Sequence, residues 1–145
     1  MNLKYLMGAF SVLAMTCFAA DSPELARLKK IFDEQKVKTG SEFSIRIAED
    51  SIAALKKISN DTTATTQERS EAIRVAGGFE GKIAETLGIK GGLAHAKLSM
   101  QDFKTAIQLD PHNADAYYDY GATIQGMGAK SRLVRKFLAP MPLIS

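Results

Sequence analysis

Residues 103–128 read FKTAIQLDPHNADAYYDYGATIQGMG and contain a helix end, a turn and the start of a second helix. Apolar residues before Asp110 recur every three or four positions, which is the period of an amphipathic helix. Pro111 predicts that this helix ends by Asp110, because proline disfavours helical backbone in the residue before it. Asn113 then supplies a cap for the next helix, and Asp115 adds a negative charge that its first turn favours. The stretch therefore predicts two helices joined by a short turn.

The sequence upstream of residue 60 predicts two further helices and no strand. Ser22 and Pro23 indicate the start of the first helix, as its cap and its first residue. Gly40 breaks the chain, and Thr39 with Glu42 has the spacing of a capping box for the second helix. The apolar stripes of these two helices are Leu25, Leu28 and Phe32, and then Ile45, Ala48, Ile52 and Leu55.

A polar linker, SNDTTATTQERS over residues 59–70, separates these helices from the rest. Thr65 and Glu68 again have capping-box spacing, so a third helix is predicted to begin near Thr66 and to end at Gly88. A fourth helix is predicted to begin at the glycine pair 91–92 and to end at Asp110, before Pro111. The two apolar stripes are Ala72, Val75, Phe79, Ile83 and Leu87, and then Leu93, Ala96, Met100, Phe103 and Ile107.

Gly77 and Gly78 interrupt the third helical pattern, and each costs about 1 kcal/mol relative to alanine inside a helix. Such a pair predicts either a bend in the helix or the close approach of another backbone. The phosphate-binding interpretation of these glycines fails, because Lys82 is followed by Ile83 and not by a hydroxyl residue.

The stretch that opens this section resembles the tetratricopeptide repeat, a helix–turn–helix unit of about 34 residues that stacks into a solenoid. The resemblance is specific over residues 100–128 and covers about one and a half repeats. The matching residues are aromatic, small or helix-ending: Phe103, Ala106, Pro111, Ala116, Tyr117, Tyr120, Gly121 and Ile124. It implies an all-α fold of antiparallel helical hairpins, a fragment of a right-handed α-solenoid, in an exported bacterial protein with degenerate repeats. Tyr117 and Tyr120 are expected in the core.

In that family the first helix of each repeat lines a concave groove where ligands bind. Carried over by position, the resemblance implies a binding face made of Asp115, Tyr118, Ala122 and Gln125. Tyrosine combines a large rigid surface with a hydroxyl group, which suits recognition of a peptide. An exposed tyrosine without any role is the alternative interpretation. The implied partner is a protein or a peptide.

The first twenty residues have the layout of a secretory signal peptide, with Lys4, an apolar run over 6–18 and small residues at Ala19 and Ala20. Such a signal would direct export to the periplasm or outside the cell, with cleavage near Ala19 or Ala20. Cleavage would also remove Cys17, the only cysteine, and with it every thiol chemistry. Membrane attachment would require lipidation at Cys17, whose preceding residues depart from the usual pattern. The predicted divisions are a signal peptide over 1–20, N-terminal helices over 21–60 and a repeat-like region over 61–145.

Composition and spacing disfavour several other classes of function. Nineteen basic and 16 acidic residues give a net charge of +3 without a long basic run, so no nucleic acid is expected as a partner. His95 and His112 lack the spacing of metal ligands, so neither a metal nor another cofactor is expected. One helix face carries His95, Ser99 and Asp102, but no nucleophile elbow accompanies them. The sequence also indicates no pair of buried acids. The chain is therefore predicted not to be an enzyme.

The sequence thus predicts an exported interaction module that binds a protein or peptide on its concave face. A periplasmic binder of a small or apolar ligand that works with a transporter is the alternative, and an enzyme is a remote one. About three repeats are usually needed to bury a solenoid's apolar face. Either the upstream helices pack on the repeat-like pair, or the protein self-associates through apolar residues near its end, namely Leu138, Met141, Leu143 and Ile144.

Overall fold

The computed structural model describes residues 20–130. They form four α-helices and one short 3₁₀ turn, and no strand occurs among them, which confirms the all-α prediction. The elements are α1 (Pro23–Lys36), the 3₁₀ turn (Gly40–Glu42), α2 (Ile45–Asn60), α3 (Thr66–Leu109) and α4 (Ala114–Lys130). The expectations about the signal peptide, about lipidation of Cys17 and about the apolar residues near position 140 lie outside the described residues.

Three helices begin where their cap residues predict. The backbone N–H groups of Leu25, Glu68 and Ala116 donate to the side chains of the cap residues at 3.3, 3.1 and 3.1 Å. These caps are Ser22, Thr65 and Asn113. The capping box at the start of α3 is only half formed, because the carboxylate of Glu68 accepts from the backbone N–H of Ser22 at 3.3 Å. That bond ties the first turn of α1 to the first turn of α3.

The second helix begins later than the sequence predicts. The side chain of Thr39 makes no capping hydrogen bond, and Gly40, with a left-handed φ of 55°, opens the 3₁₀ turn instead. The buried Phe43 follows with extended backbone, so a helix can begin only after it. Ser44 is the actual cap of α2 and accepts from the N–H of Ile47 at 3.3 Å. The capping-box prediction at this helix is therefore wrong.

Helix α3 is a hairpin rather than a rod, because Gly88 interrupts it with φ 71° and ψ −172°. We call residues 66–87 the N-terminal arm and residues 89–109 the C-terminal arm. The arms run antiparallel, since Ser70 Oγ donates to the carbonyl of Ala106 at 2.8 Å and Ser99 Oγ donates to that of Gly77 at 2.7 Å. The predicted break at Gly88 is correct, but the C-terminal arm begins immediately after it rather than at 91–92.

The main core lies where α1 and α2 pack on the N-terminal arm. The rings of Phe32 and Phe79 meet edge to face with their centroids 5.0 Å apart. The predicted apolar stripes of α1, α2 and the N-terminal arm contribute to this core, except for Leu87 near the tip of the hairpin. Leu87 and Leu93 are exposed there, because no described helix covers them. The core residues are Leu25, Leu28, Phe43, Ala48, Ile52, Leu55, Ala72, Ile73, Val75, Ala76, Phe79, Ile83, Ala106 and Ala116.

Across the turn at Pro111, α4 packs on the C-terminal arm. Met100, Phe103 and Tyr120 form a second buried cluster there. Tyr120 is buried, as expected, but Tyr117 is 44% exposed and does not belong to the core. Ala116 and Tyr120, one helical turn apart, define the inward face of α4, and Tyr117 lies about 100° around the helix from Ala116.

Candidate binding groove

A groove of about 450 Å³ lies across the α3 hairpin, between α1 and α4. Its floor consists of small residues of the two arms, with Phe103 beside them. Phe32 and Lys36 of α1 form one wall. The other wall is formed by α4, and the tip of the hairpin forms the mouth. The small floor residues are Gly77, Gly78, Gly81, Ala84, Gly92, Ala96 and Ser99. The α4 wall contains Asp119, Ala122, Thr123 and Gly126, and the mouth contains Gly88, Ile89 and Leu93.

Two phenylalanine rings explain the glycine pair in the N-terminal arm. A Cβ atom at Gly77 would lie 3.0 Å from the ring of Phe103, and one at Gly78 would lie 2.6 Å from the ring of Phe32. The contact at Gly78 is closer than a real Cβ tolerates, and the one at Gly77 is tighter than most real Cβ contacts, so glycine lets each ring lie directly on the backbone. The sequence predicted a bend or a backbone approach, whereas aromatic side chains are what approach. The rings then form part of the groove lining.

The lining of the groove is mainly apolar, and its mouth is open. Ile89 is 58% exposed, and Leu93 and Ala122 are also exposed to solvent. The mouth therefore presents an aliphatic surface that continues into the groove. Apolar surface of this kind, beside a recess, is typical of ligand and partner sites.

The charges at the rim of the groove are already paired within the chain. Lys36 pairs with Asp33, and Lys82 Nζ lies 3.2 Å from Glu85 Oε2. Asp119 accepts from Arg74 at 2.6 Å. A rim with compensated charge neither attracts nor orients a phosphate or another strongly charged ligand. The groove therefore suits a neutral, apolar ligand.

An ion network joins both walls of the groove to the N-terminal arm. Arg74 donates two hydrogen bonds, of 2.8 and 2.7 Å, to the carboxylate of Glu71. Its third nitrogen donates to Asp119 of α4. Lys29 of α1 lies 3.0 Å from Glu71. Burial alone would raise the pKa of Glu71, but its hydrogen bonds and attraction to Arg74 and Lys29 outweigh burial and lower the pKa to about 2. Glu71 is therefore a strongly held anion at neutral pH.

The predicted binding face lies on the exposed side of α4, but only part of it meets a cavity. Asp115, Tyr118, Ala122 and Gln125 are all exposed. Ala122 lines the groove, and Asp115 lines a second, polar cavity of about 310 Å³. Among the described residues, Tyr118 and Gln125 line neither cavity, and Tyr118 is 75% exposed. Their binding role stays a prediction, whereas Asp119, Thr123 and Gly126 are groove residues that sequence reasoning missed.

A cluster of buried charge lies where α2 meets both arms of α3. Glu80 and Asp102 are only 4% and 6% exposed, and Lys56 Nζ lies 3.7 and 3.4 Å from their carboxylates. His95 Nδ1 lies 2.7 Å from Glu80 Oε2. The expectation that the chain lacks a pair of buried acids is therefore wrong. The signal was present in the sequence, because Glu80 lies four residues after the buried Ala76 and three before the buried Ile83.

The residues His95, Ser99 and Asp102 do not assemble into a catalytic triad. Ser99 donates to the carbonyl of Gly77, and His95 contacts Glu80 instead. Asp102 faces Lys56. Within residues 20–130, no group of three potential ligands has metal-binding geometry, and no helix is long and apolar enough to cross a membrane.

Comparison with protein-family models, with curated proteins and with solved structures gives no significant match.

Proposed function

We propose that the protein is a helical interaction module that binds an apolar peptide segment of a partner protein in the groove between α1 and α4. The observation that carries this proposal is the small-residue floor, which leaves room for the side chains of a ligand between two walls. In this proposal the α3 hairpin is one tetratricopeptide-like unit, α4 is the first helix of the next, and the groove is the concave side of the solenoid.

The chemistry of the lining supports a peptide that presents aliphatic or aromatic residues. Phe32 and Phe103 offer flat apolar surface inside the groove, and Ile89 and Leu93 extend that surface at the mouth. A few buried anchor residues, often aromatic, supply most of the binding energy at protein interfaces. If the chain is exported, as residues 1–20 predict, the partner is a protein of the cell envelope or the exterior.

A small apolar ligand is a second candidate, because about 450 Å³ falls within the range of small-molecule pockets. This candidate corresponds to a periplasmic binder that works with a transporter. It predicts a co-purifying small molecule in native mass spectra of gently purified protein. A peptide-binding module predicts an apo mass in the same spectra.

Selection from a phage library of random dodecapeptides tests the peptide proposal. We expect enrichment of peptides with two or more large apolar residues, and fluorescence anisotropy then gives their affinities. Ile89→Asp should weaken binding at least roughly tenfold, because the charge would have to be desolvated at an apolar contact. Val37→Asp is the matched control, since Val37 is 73% exposed and does not line the groove. Equal affinity of the two variants, or no enrichment, would contradict the proposal.

A second pair of variants separates the groove from the face that the sequence predicted. Thr123→Trp fills the groove from the α4 wall, whereas Tyr118→Ala removes an aromatic side chain of the predicted face that is 75% exposed. Binding in the groove predicts a loss of roughly tenfold for Thr123→Trp and little change for Tyr118→Ala. The reverse result would indicate that the binding site lies on the outer side of α4 and not in the groove.

A further inference from the structure

The cluster of Lys56, Glu80, His95 and Asp102 holds two buried carboxylates and one ammonium group, and its histidine adds positive charge only when it is protonated. Two carboxylates share the single ammonium group of Lys56, which is itself about one-third exposed. Among the described residues, Asp102 Oδ2 has no directed hydrogen bond, although Lys56 Nζ lies at an ion-pair distance of 3.4 Å. A buried carboxylate oxygen without a donor is costly in its charged form.

We propose that this cluster is a proton-uptake site that strengthens the packing of α2 on the α3 hairpin as the surroundings become acidic. Protonation of Asp102 removes one of two neighbouring negative charges and leaves Lys56 to Glu80 alone. Lys56 belongs to α2, Glu80 to the N-terminal arm and Asp102 to the C-terminal arm, so all three packed elements meet at this point. The proposal does not depend on the groove or on its ligand.

The direction of the effect follows from the environment of Asp102. Burial raises the pKa of Asp102 to about 6, against the attraction of Lys56 and together with the repulsion of Glu80. A carboxyl group whose pKa is higher in the folded state than in the unfolded chain takes up a proton on folding. The folded state therefore gains stability as pH falls through about 6, until the unfolded chain also protonates near its ordinary value of 3.8.

Glu71 acts in the opposite direction at lower pH. Its pKa is lowered from 4.5 to about 2, so its stabilising contribution is complete above pH 4.5 and is lost below. Asp102 therefore affects stability mainly between pH 6 and 3.8, and Glu71 affects it below pH 4.5. Between pH 6 and 4.5, we expect the contribution of Asp102 to grow as the pH falls, while Glu71 still carries its charge in the folded state.

Urea unfolding of the purified protein near pH 7.5 and near pH 5 tests this site. The unfolding equilibrium constant should fall by roughly tenfold more in the unsubstituted protein than in Asp102→Asn, which is neutral at both pH values. Asn is nearly isosteric with Asp, so a purely structural role would change stability equally at both pH values. An equal pH dependence in the two proteins would overturn the proposal.

Histidine is the side chain that most often changes charge near neutral pH, and His95 contacts Glu80, so a His95 variant is the control for this experiment. His95→Gln should keep the difference between the unsubstituted and Asp102→Asn backgrounds. Loss of that difference would assign the proton to His95 instead and overturn the proposal. If Asp102→Asn fails to fold, carbon-13 NMR titration of the unsubstituted protein decides the matter. A midpoint for Asp102 near 6 supports the proposal, and one near 4 overturns it.

Discussion

Replacing Arg74 with leucine is expected to lower the free energy of unfolding by about 3 kcal/mol at neutral pH. The guanidinium group is mostly buried, and it donates two parallel hydrogen bonds to Glu71. Its removal leaves Glu71, which is only 15% exposed, without these bonds. Removing one member of a buried ion pair lowers the free energy of unfolding by more than the intact pair contributes to it, because the remaining charge stays desolvated. Urea unfolding monitored by circular dichroism measures the change.

The pH dependence of the Arg74→Leu effect has a defined sign. The lowered pKa of Glu71 means that its ionised form stabilises the folded state above pH 4.5, and this stabilisation disappears as the pH falls towards 2. The difference between the two proteins should therefore be full at pH 7 and should shrink steadily below pH 4.5. A difference that is independent of pH would mean that lost packing, and not lost charge, is the cause.

Two further variants calibrate this result. Arg74→Lys keeps the charge but cannot reproduce the two parallel hydrogen bonds to Glu71, so an intermediate loss is expected. Lys36→Met removes an ion pair whose partners are 50% and 63% exposed, and its effect should stay within about 1 kcal/mol. Because Arg74 also holds Asp119 of α4, Arg74→Leu should weaken binding of peptides selected for the groove as well.

Replacing Gly92 with alanine is expected to destabilise the protein by about 3 kcal/mol, at the upper end for overpacking. A Cβ atom at this position would overlap the carbonyl oxygen of Ala84 and would lie 2.8 Å from its Cα. These are backbone atoms of the opposite arm, and no rotamer change can move them aside. The arms of α3 would have to separate close to the reversal at Gly88.

Gly121→Ala is the matched control for Gly92→Ala. Gly121 also lies inside a helix, but apart from its chain neighbours and the nearby backbone of its own helix, no described atom comes within 4 Å of a Cβ added there. Alanine at this position should raise stability by about 0.5–1 kcal/mol, because it restricts the unfolded chain and favours helix. Equal effects of the two substitutions would show that the hairpin does not bring its arms as close as described.

Features that depend on neighbouring residues were predictable from the sequence. The caps at Ser22, Thr65 and Asn113 and the stop at Pro111 act within a few residues of themselves, so their positions along the chain determine them. The break at Gly88 is of the same kind, since glycine adopts a positive φ without strain. The cap of α2 was mispredicted because a distant event, the burial of Phe43 in the core, decides where that helix can begin.

The partners of side chains could not be derived in the same way. Tyr117 and Tyr120 have the same chemistry and lie about one turn apart, yet one is exposed and the other is buried, because only one face of α4 packs on the C-terminal arm. The groove likewise requires Phe32 and Phe103, 71 positions apart, to lie on adjacent glycines of the N-terminal arm. Helical periodicity identifies an apolar face but does not specify what the face meets.

Within residues 20–130, the sequence by itself determined the helical class, three helix starts, the reversals at Gly88 and Pro111 and most of the apolar stripes, because short-range sterics and local hydrogen bonds control these features. Only the tertiary structure decided that Lys56, Glu80 and Asp102 share one buried cluster and that α1 and α4 face each other across a groove. The physical reason is that desolvation and close packing depend on which helix faces meet, and that pairing is a property of the whole chain.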